Sequence, residues 1–196
     1  MKPLFRRELI VCALALVAAG CATGPQLASG EVVVRERLAV TTDKPWNQFP
    51  NGLPGQLHPL WTQDGVSLDA VNFYVGLKDG QLLAPTPAPA AGNVPLAFKS
   101  SMSAADVLKL FEALYARGGS TFTMQKVTPT SFAGSPGLRF EWELLRRQDD
   151  ARLNGVGWVA VRNGELFALT YTAPRLHFFA RHLASVEALA RSARIR

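Results

Sequence analysis

Cysteine is nearly absent from this 196-residue chain, which holds only Cys12 and Cys21. Cys12 lies inside an apolar run, "LIVCALALVAAG" from Leu9 to Gly20, that follows the basic residues Lys2, Arg6 and Arg7. The run is shorter than the roughly 20 residues a bilayer-spanning helix needs. Its basic flank, length and small-residue end fit a cleaved export signal. Cys12 leaves with such a signal, so Cys21 has no intrachain partner. A disulfide framework and a cysteine-rich metal site are thereby excluded from the mature chain. Histidine is scarce too, with only His58, His177 and His182. The last two stand five residues apart, about 140° around a helix, and do not converge on one ion. There is no HExxH, no paired-cysteine ligand set and no glycine-rich phosphate loop. "FAGSPGLRF" lacks the spacing of a nucleophile elbow, and Pro136 would spoil the helix entry that motif needs. It reads as a turn before a strand. The expectation is no metal, no cofactor and no catalysis. A hydrolase would need His58 and Asp64 to meet a nucleophile the sequence does not offer.

Strong charge of one sign is also missing. The formal net charge is +6, and the signal carries part of it away. The rest is dispersed. Arg146, Arg147 and Arg152 flank Asp149 and Asp150, while Arg175, Arg181, Arg191, Arg194 and Arg196 decorate the C-terminal segment. No aromatic residues interleave with them, which argues against nucleic acid as a partner. They read as solvated faces, or as affinity for anionic lipid headgroups or an acidic partner. What remains after residues 1–20 suffices for one domain with a substantial core. A short tether at 21–30 is expected, then a single domain over 31–196.

Patterning gives the elements. Residues 31–41, "EVVVRERLAVT", read as one β-branched strand, and "DKPWNQFPNGLPG" as a turn-rich loop. Short strands follow in "HPLWTQDG" and "SLDAVNFYVGL", and Asp79-Gly80 signals a turn back into "QLLAP". The low-complexity stretch Thr86–Pro95 should be an extended surface loop. A helix starts at Ser103, with Asp106 in capping-box position, and ends at Gly118-Gly119. Its stripe is Val107, Phe111 and Leu114 with Leu108 and Tyr115. "STFTMQKVTPTSF" and "LRFEWELLRR" read as strands, the second with one wet face. "VGWVAVRNGELFALTYTA" is a hairpin turning at Asn163-Gly164 and apolar on both sides, as a doubly covered centre would be. After Pro174 a long helix buries Leu176, Phe179, Leu183, Val186 and Ala190. Strands, helix, strands, helix with tight turns predict an α+β fold, an antiparallel β-sheet flanked by helices.

Trp46, Trp61 and Tyr74 cluster in the loop-rich first half with Asp64, Asp69 and Asn72. Aromatics there are core by default. Aromatic and polar side chains converging near loops also suit a binding surface. Both readings stand on the sequence.

Two resemblances add to this. Ala18-Ala19-Gly20-Cys21 resembles the end of a bacterial lipoprotein signal, with Ala18 where leucine is usual. That resemblance implies a signal peptide over 1–20, a lipidated (palmitate-bearing) Cys21 at the new amino terminus, and membrane attachment by lipid. An ordinary signal leaving a free Cys21 thiol is the alternative. Ala22 after the cysteine implies outer-membrane sorting, facing the periplasm. From "GVGWVAVRNGELFALTYTAP" through the last helix, the chain resembles the PsbP-like families, which include DcrB-like exported lipoproteins. Their fold is a sheet sandwiched between helices (an α/β/α sandwich), and most members are non-enzymatic accessory subunits. The implied role is an accessory or assembly factor that binds an envelope protein partner. The alternative is a periplasmic small-ligand binding or transport accessory protein.

Overall fold

The computed structural model describes residues 25–86 and 94–196. The expected signal, Cys21 and most of the expected loop at 86–95 lie outside the described residues. In chain order the elements are β1 (Gln26–Val34), β2 (Leu38–Phe49), β3 (Leu60–Thr62), β4 (Ala70–Leu77), α1 (Ala104–Tyr115), β5 (Thr121–Phe132), β6 (Ser135–Arg146), β7 (Ala151–Arg162), β8 (Glu165–Pro174), α2 (Phe178–Ser192) and β9 (Arg194–Ile195). One antiparallel sheet runs β1-β2-β3-β4-β8-β7-β6-β5, and β9 pairs with β2.

The doubly apolar hairpin occupies the centre, as its pattern predicts. In β8, Phe167, Leu169 and Tyr171 face one core together with Val186 and Leu189 of α2. Leu166 and Ala168 face a second core with Val107 and Phe111 of α1. The two-residue alternation of strands thus divides one hydrophobic sequence between two helices. Asn163 (φ 52°) and Gly164 (φ 75°) supply the left-handed pair that a tight I′ turn requires. Ala133 (φ 52°) and Gly134 (φ 77°) do the same between β5 and β6, so "FAGSPG" is a hairpin turn. At α1 the Ser103 hydroxyl accepts from the Asp106 backbone, and the Asp106 side chain bonds back to the Ser103 N–H. Pro129 falls on the edge strand β5, where a missing donor is tolerated.

The N-terminal third departs from expectation. Residues 31–41 are two strands, because the chain reverses at Arg35 (φ 50°) and Glu36 (φ 60°). These are costly conformations for side-chain-bearing residues, held by contacts distant in sequence. Arg37 pairs with Glu165 at 2.6 Å and lies over the Phe167 ring, passing where a Cβ on Gly76 would stand. Arg35 donates to the Leu57 carbonyl. The 43–49 stretch is strand, with Trp46 fully buried. Its proline, Pro45, falls opposite the irregularity between Ala28 and Gly30, so no regular ladder bond is lost there. The domain also starts earlier than 31: Gln26–Gly30 pair with β2, and Ala28 is buried opposite Trp46. Leu176 is not in the buried stripe. It is 81% exposed on the approach to α2, whose inward positions are His182, Ser185, Val186, Leu189 and Ala190. Asp79-Gly80 returns the chain through an isolated bridge, Leu82 with Ala97, and not through a strand.

Candidate functional site

Because β3 is only three residues long, β4 loses its outer neighbour after Phe73, whose N–H goes to the Pro59 carbonyl. The 50–59 loop, the β1–β2 turn and the 80–85 segment surround the gap. A cavity of about 400 Å³ lies between Arg35, His58, Val75 and Leu82. A second, about 240 Å³, shares Leu57 and His58 with it and reaches Asn72, Tyr74, Leu114 and Tyr115. A third, about 350 Å³, shares Asn72, Leu114 and Tyr115, and extends to Arg117, Arg146, Gln148 and Thr172. The second and third, which share Asn72, Leu114 and Tyr115, form a groove along the C-terminal end of α1; His58, bonded to Leu82 and packed on Tyr74, stands between it and the first.

The groove floor is polar in an otherwise apolar layer. In β8 the inward row reads Leu166, Ala168, Thr170, Thr172, so two hydroxyls end a hydrophobic series. The Tyr115 hydroxyl donates to Thr170 Oγ1 at 2.9 Å. Thr172 Oγ1 is buried without a hydrogen-bond partner among the described residues. Burial pushes the Tyr74 and Tyr115 hydroxyls above the usual phenol range, so both stay protonated donors at neutral pH. His58 Nε2 lies 2.9 Å from the Leu82 carbonyl and must be its donor. Burial lowers the His58 pKa, which favours the neutral ring. Across the three cavities the lining includes Arg35, Arg117 and Arg146 and, among the described residues, no carboxylate. Arg117 and Arg35 are held by neutral carbonyls, of Pro85 and Leu57, whereas Arg146 is neutralised by Asp149. Such a groove offers hydroxyl and amide hydrogen bonds under a positive rim.

The six residues singled out from sequence divide between the two faces. Asn72 and Tyr74 line the groove. Trp46 and Trp61 are buried in the opposite core, under α2. Asp69, 1% exposed, closes the 63–68 turn by accepting from Thr62 Oγ1 and the Gln63 and Asp64 N–H groups, each at 2.7 Å. Asp64 leaves that turn to accept from His182 Nε2 at 2.6 Å, with Arg181 at 3.3 Å. The His182 hydrogen bond, aided by the nearby cations, holds the Asp64 carboxyl below the usual carboxylate range. His58 and Asp64 therefore do not meet. Sequence reasoning missed Tyr115, assigned to a core stripe, and the Thr170 and Thr172 pair. The break in the β8 alternation was a readable signal for the threonines. The Asp64–His182 contact spans 118 positions and left none.

No protein-family model matches the sequence, and no curated protein does. Among solved structures, the solution structure of cyanobacterial PsbP (CyanoP) from Synechocystis sp. PCC 6803 is similar over 93% of this chain and 99% of that one. The TM-score is 0.54 and the identity 11%. The crystal structure of LpqN, involved in cell envelope biogenesis of Mycobacterium tuberculosis, matches over 81% of this chain and 82% of that one, with a TM-score of 0.48 and 10% identity. At such identity the likeness to CyanoP concerns the fold alone: an antiparallel sheet with a helix packed on each face, the PsbP-like α+β fold.

Proposed function

We propose that this is a lipid-anchored cell-envelope protein, held at the outer membrane by Cys21 and facing the periplasm. There it acts by binding, as an accessory or assembly factor of a larger envelope complex. The observation that carries the reading is the groove beside α1, with its un-ionised hydroxyl floor and positive rim and no carboxylate in its lining. Those are the attributes of a surface that holds a partner. The signal pattern ending at Gly20-Cys21 supports the location. A photo-crosslinking residue placed in living cells at Gln56 or Gln148, both in the groove walls, tests the binding claim. Both sites should give one discrete adduct that the same residue at Val127, on the far edge strand, does not. A diffuse smear, or equal capture from Val127, overturns it. Mass spectrometry of the mature N-terminus tests the anchor, and an unmodified Cys21 thiol would remove it.

A second reading, a small-ligand binding or transport accessory protein, draws on the partnerless Thr172 hydroxyl beneath Asn72 and Tyr115. Native mass spectrometry of the purified protein should then show a retained small mass that Thr172→Val sheds. A bare protein mass in the parent chain removes this reading.

A further inference from the structure

The two cavities beside α1 run end to end through the walls they share, Asn72, Leu114 and Tyr115. That is a trough, a shape suited to a length of chain. One end is apolar, with Leu57, Pro85 and Leu114. At the junction stands Asn72, whose amide sets a donor beside an acceptor, the same pair that a peptide group presents. The other end is cationic. Arg117 follows directly on the last turn of α1, and its guanidinium donates to the Pro85 carbonyl at 2.8 Å. Pro85 lines one cavity and Arg117 the other, so this bond holds the guanidinium between them. Among the described residues it is the only hydrogen bond of that side chain, and no carboxylate pairs with it. Arg147 adds a second cation at this end. A Cβ on Gly119 would stand 2.7 Å from the Arg147 guanidinium, so that side chain lies across the turn following Arg117. The nearby acid Asp149 is taken by Arg146, through bonds of 2.8 and 2.7 Å.

Arg117 is half-buried. A cation so placed without a counter-charge has lost hydration that an arriving carboxylate replaces with charge-assisted hydrogen bonds. A guanidinium takes a carboxylate through two parallel bonds, which fixes register as well as charge. We infer that the groove binds an extended, acidic segment of a partner protein. One carboxylate of the segment pairs with Arg117, a neighbouring peptide group meets Asn72, and apolar side chains lie along Leu57 and Leu114. Arg147 contributes to the longer-range attraction that steers the approach. This rests on the reading of the groove as a partner-binding surface, and it names the chemistry of that partner.

The test places a photo-crosslinking residue at Gln148 of the full chain in living cells and compares adduct yield across charge variants. The parent should give one discrete protein adduct. Mass spectrometry of the crosslinked peptide should find Asp, Glu or a carboxy terminus close to the captured residue. Arg117→Glu should cut the yield about tenfold or more, and Arg117→Lys should keep part of it. Lys126→Glu makes the same change of charge on the edge strand β5 and should leave the yield unchanged. Replacing the partner's acid by Lys should abolish the adduct with the unaltered chain, an arm that does not depend on how Arg117→Glu folds. Combining the two exchanges should restore it. A discrete adduct that survives loss of the partner's acid, or has no acid near the captured residue, overturns the inference and leaves the groove reading standing. So does a loss that Lys126→Glu matches, or an adduct that proves to be lipid. No discrete adduct in the parent removes the groove reading and this inference together.

Discussion

Asp64 and His182 are the pair that sequence proximity hides and packing reveals. Asp64 is an acid whose folded state holds its pKa down, so it stabilises the fold above the unfolded chain's value. That contribution is lost as pH falls through the folded one. Asp64→Asn should therefore lower the denaturant midpoint at pH 7, and the gap to the parent chain should close as pH drops below about 4. A gap that stays constant with pH would show that the carboxylate charge is not what matters. His182 is buried, so His182→Ala should lose a charge-assisted hydrogen bond worth about 1.5–3 kcal/mol at pH 7. Gly155 makes a sharper case. A Cβ there would stand 2.0 Å from the buried Trp142 ring. Gly155→Ala should cost about 1–3 kcal/mol by overpacking, read from equilibrium unfolding. Gly134→Ala, in a turn where no neighbour approaches, should strain only the local backbone.

At the scale of elements, legibility followed the range of the forces. The capping box at Ser103 is local chemistry, and it was visible as Ser-x-x-Asp. Ser103→Ala should lower stability by about 1 kcal/mol without altering the sheet, a change that melting curves will report. The Asn163-Gly164 hairpin and the alternating "LRFEWELLRR" strand were equally plain, because turn geometry and burial period are written residue by residue. The β1–β2 hairpin was not. Its turn uses Arg35 and Glu36 where glycine or asparagine would be expected, and what holds it is Arg37 reaching Glu165 and Phe167 across 128 and 130 positions. Trp46 was likewise placed in a loop, because Pro45 precedes it and the pairing irregularity that accommodates a proline cannot be read locally.

For the whole molecule, the boundary between tether and domain is itself a prediction. Deleting residues 22–25 should leave the unfolding midpoint unchanged. Deleting 26–30 should lower it, because Ala28 covers the buried Trp46 and those residues pair with β2. Equal midpoints would return 26–30 to the tether. The groove has the same global origin. Asn72 and Tyr74 were chosen from sequence for being polar and aromatic near loops. Their partners Tyr115, Thr170 and Thr172 come from a helix and a strand far along the chain, and only sheet order sets them side by side.

The sequence by itself determined the two helices, the central hairpin and the α+β class. Each of these follows from hydrophobic period or turn residues, which act within a few positions. The tertiary structure decided that Trp46 and Trp61 are core, that Asp64 serves α2 and not His58, and that a hydroxyl-floored groove opens beside α1. Those outcomes depend on which strands become neighbours, and that choice is made by the burial of both sheet faces at once.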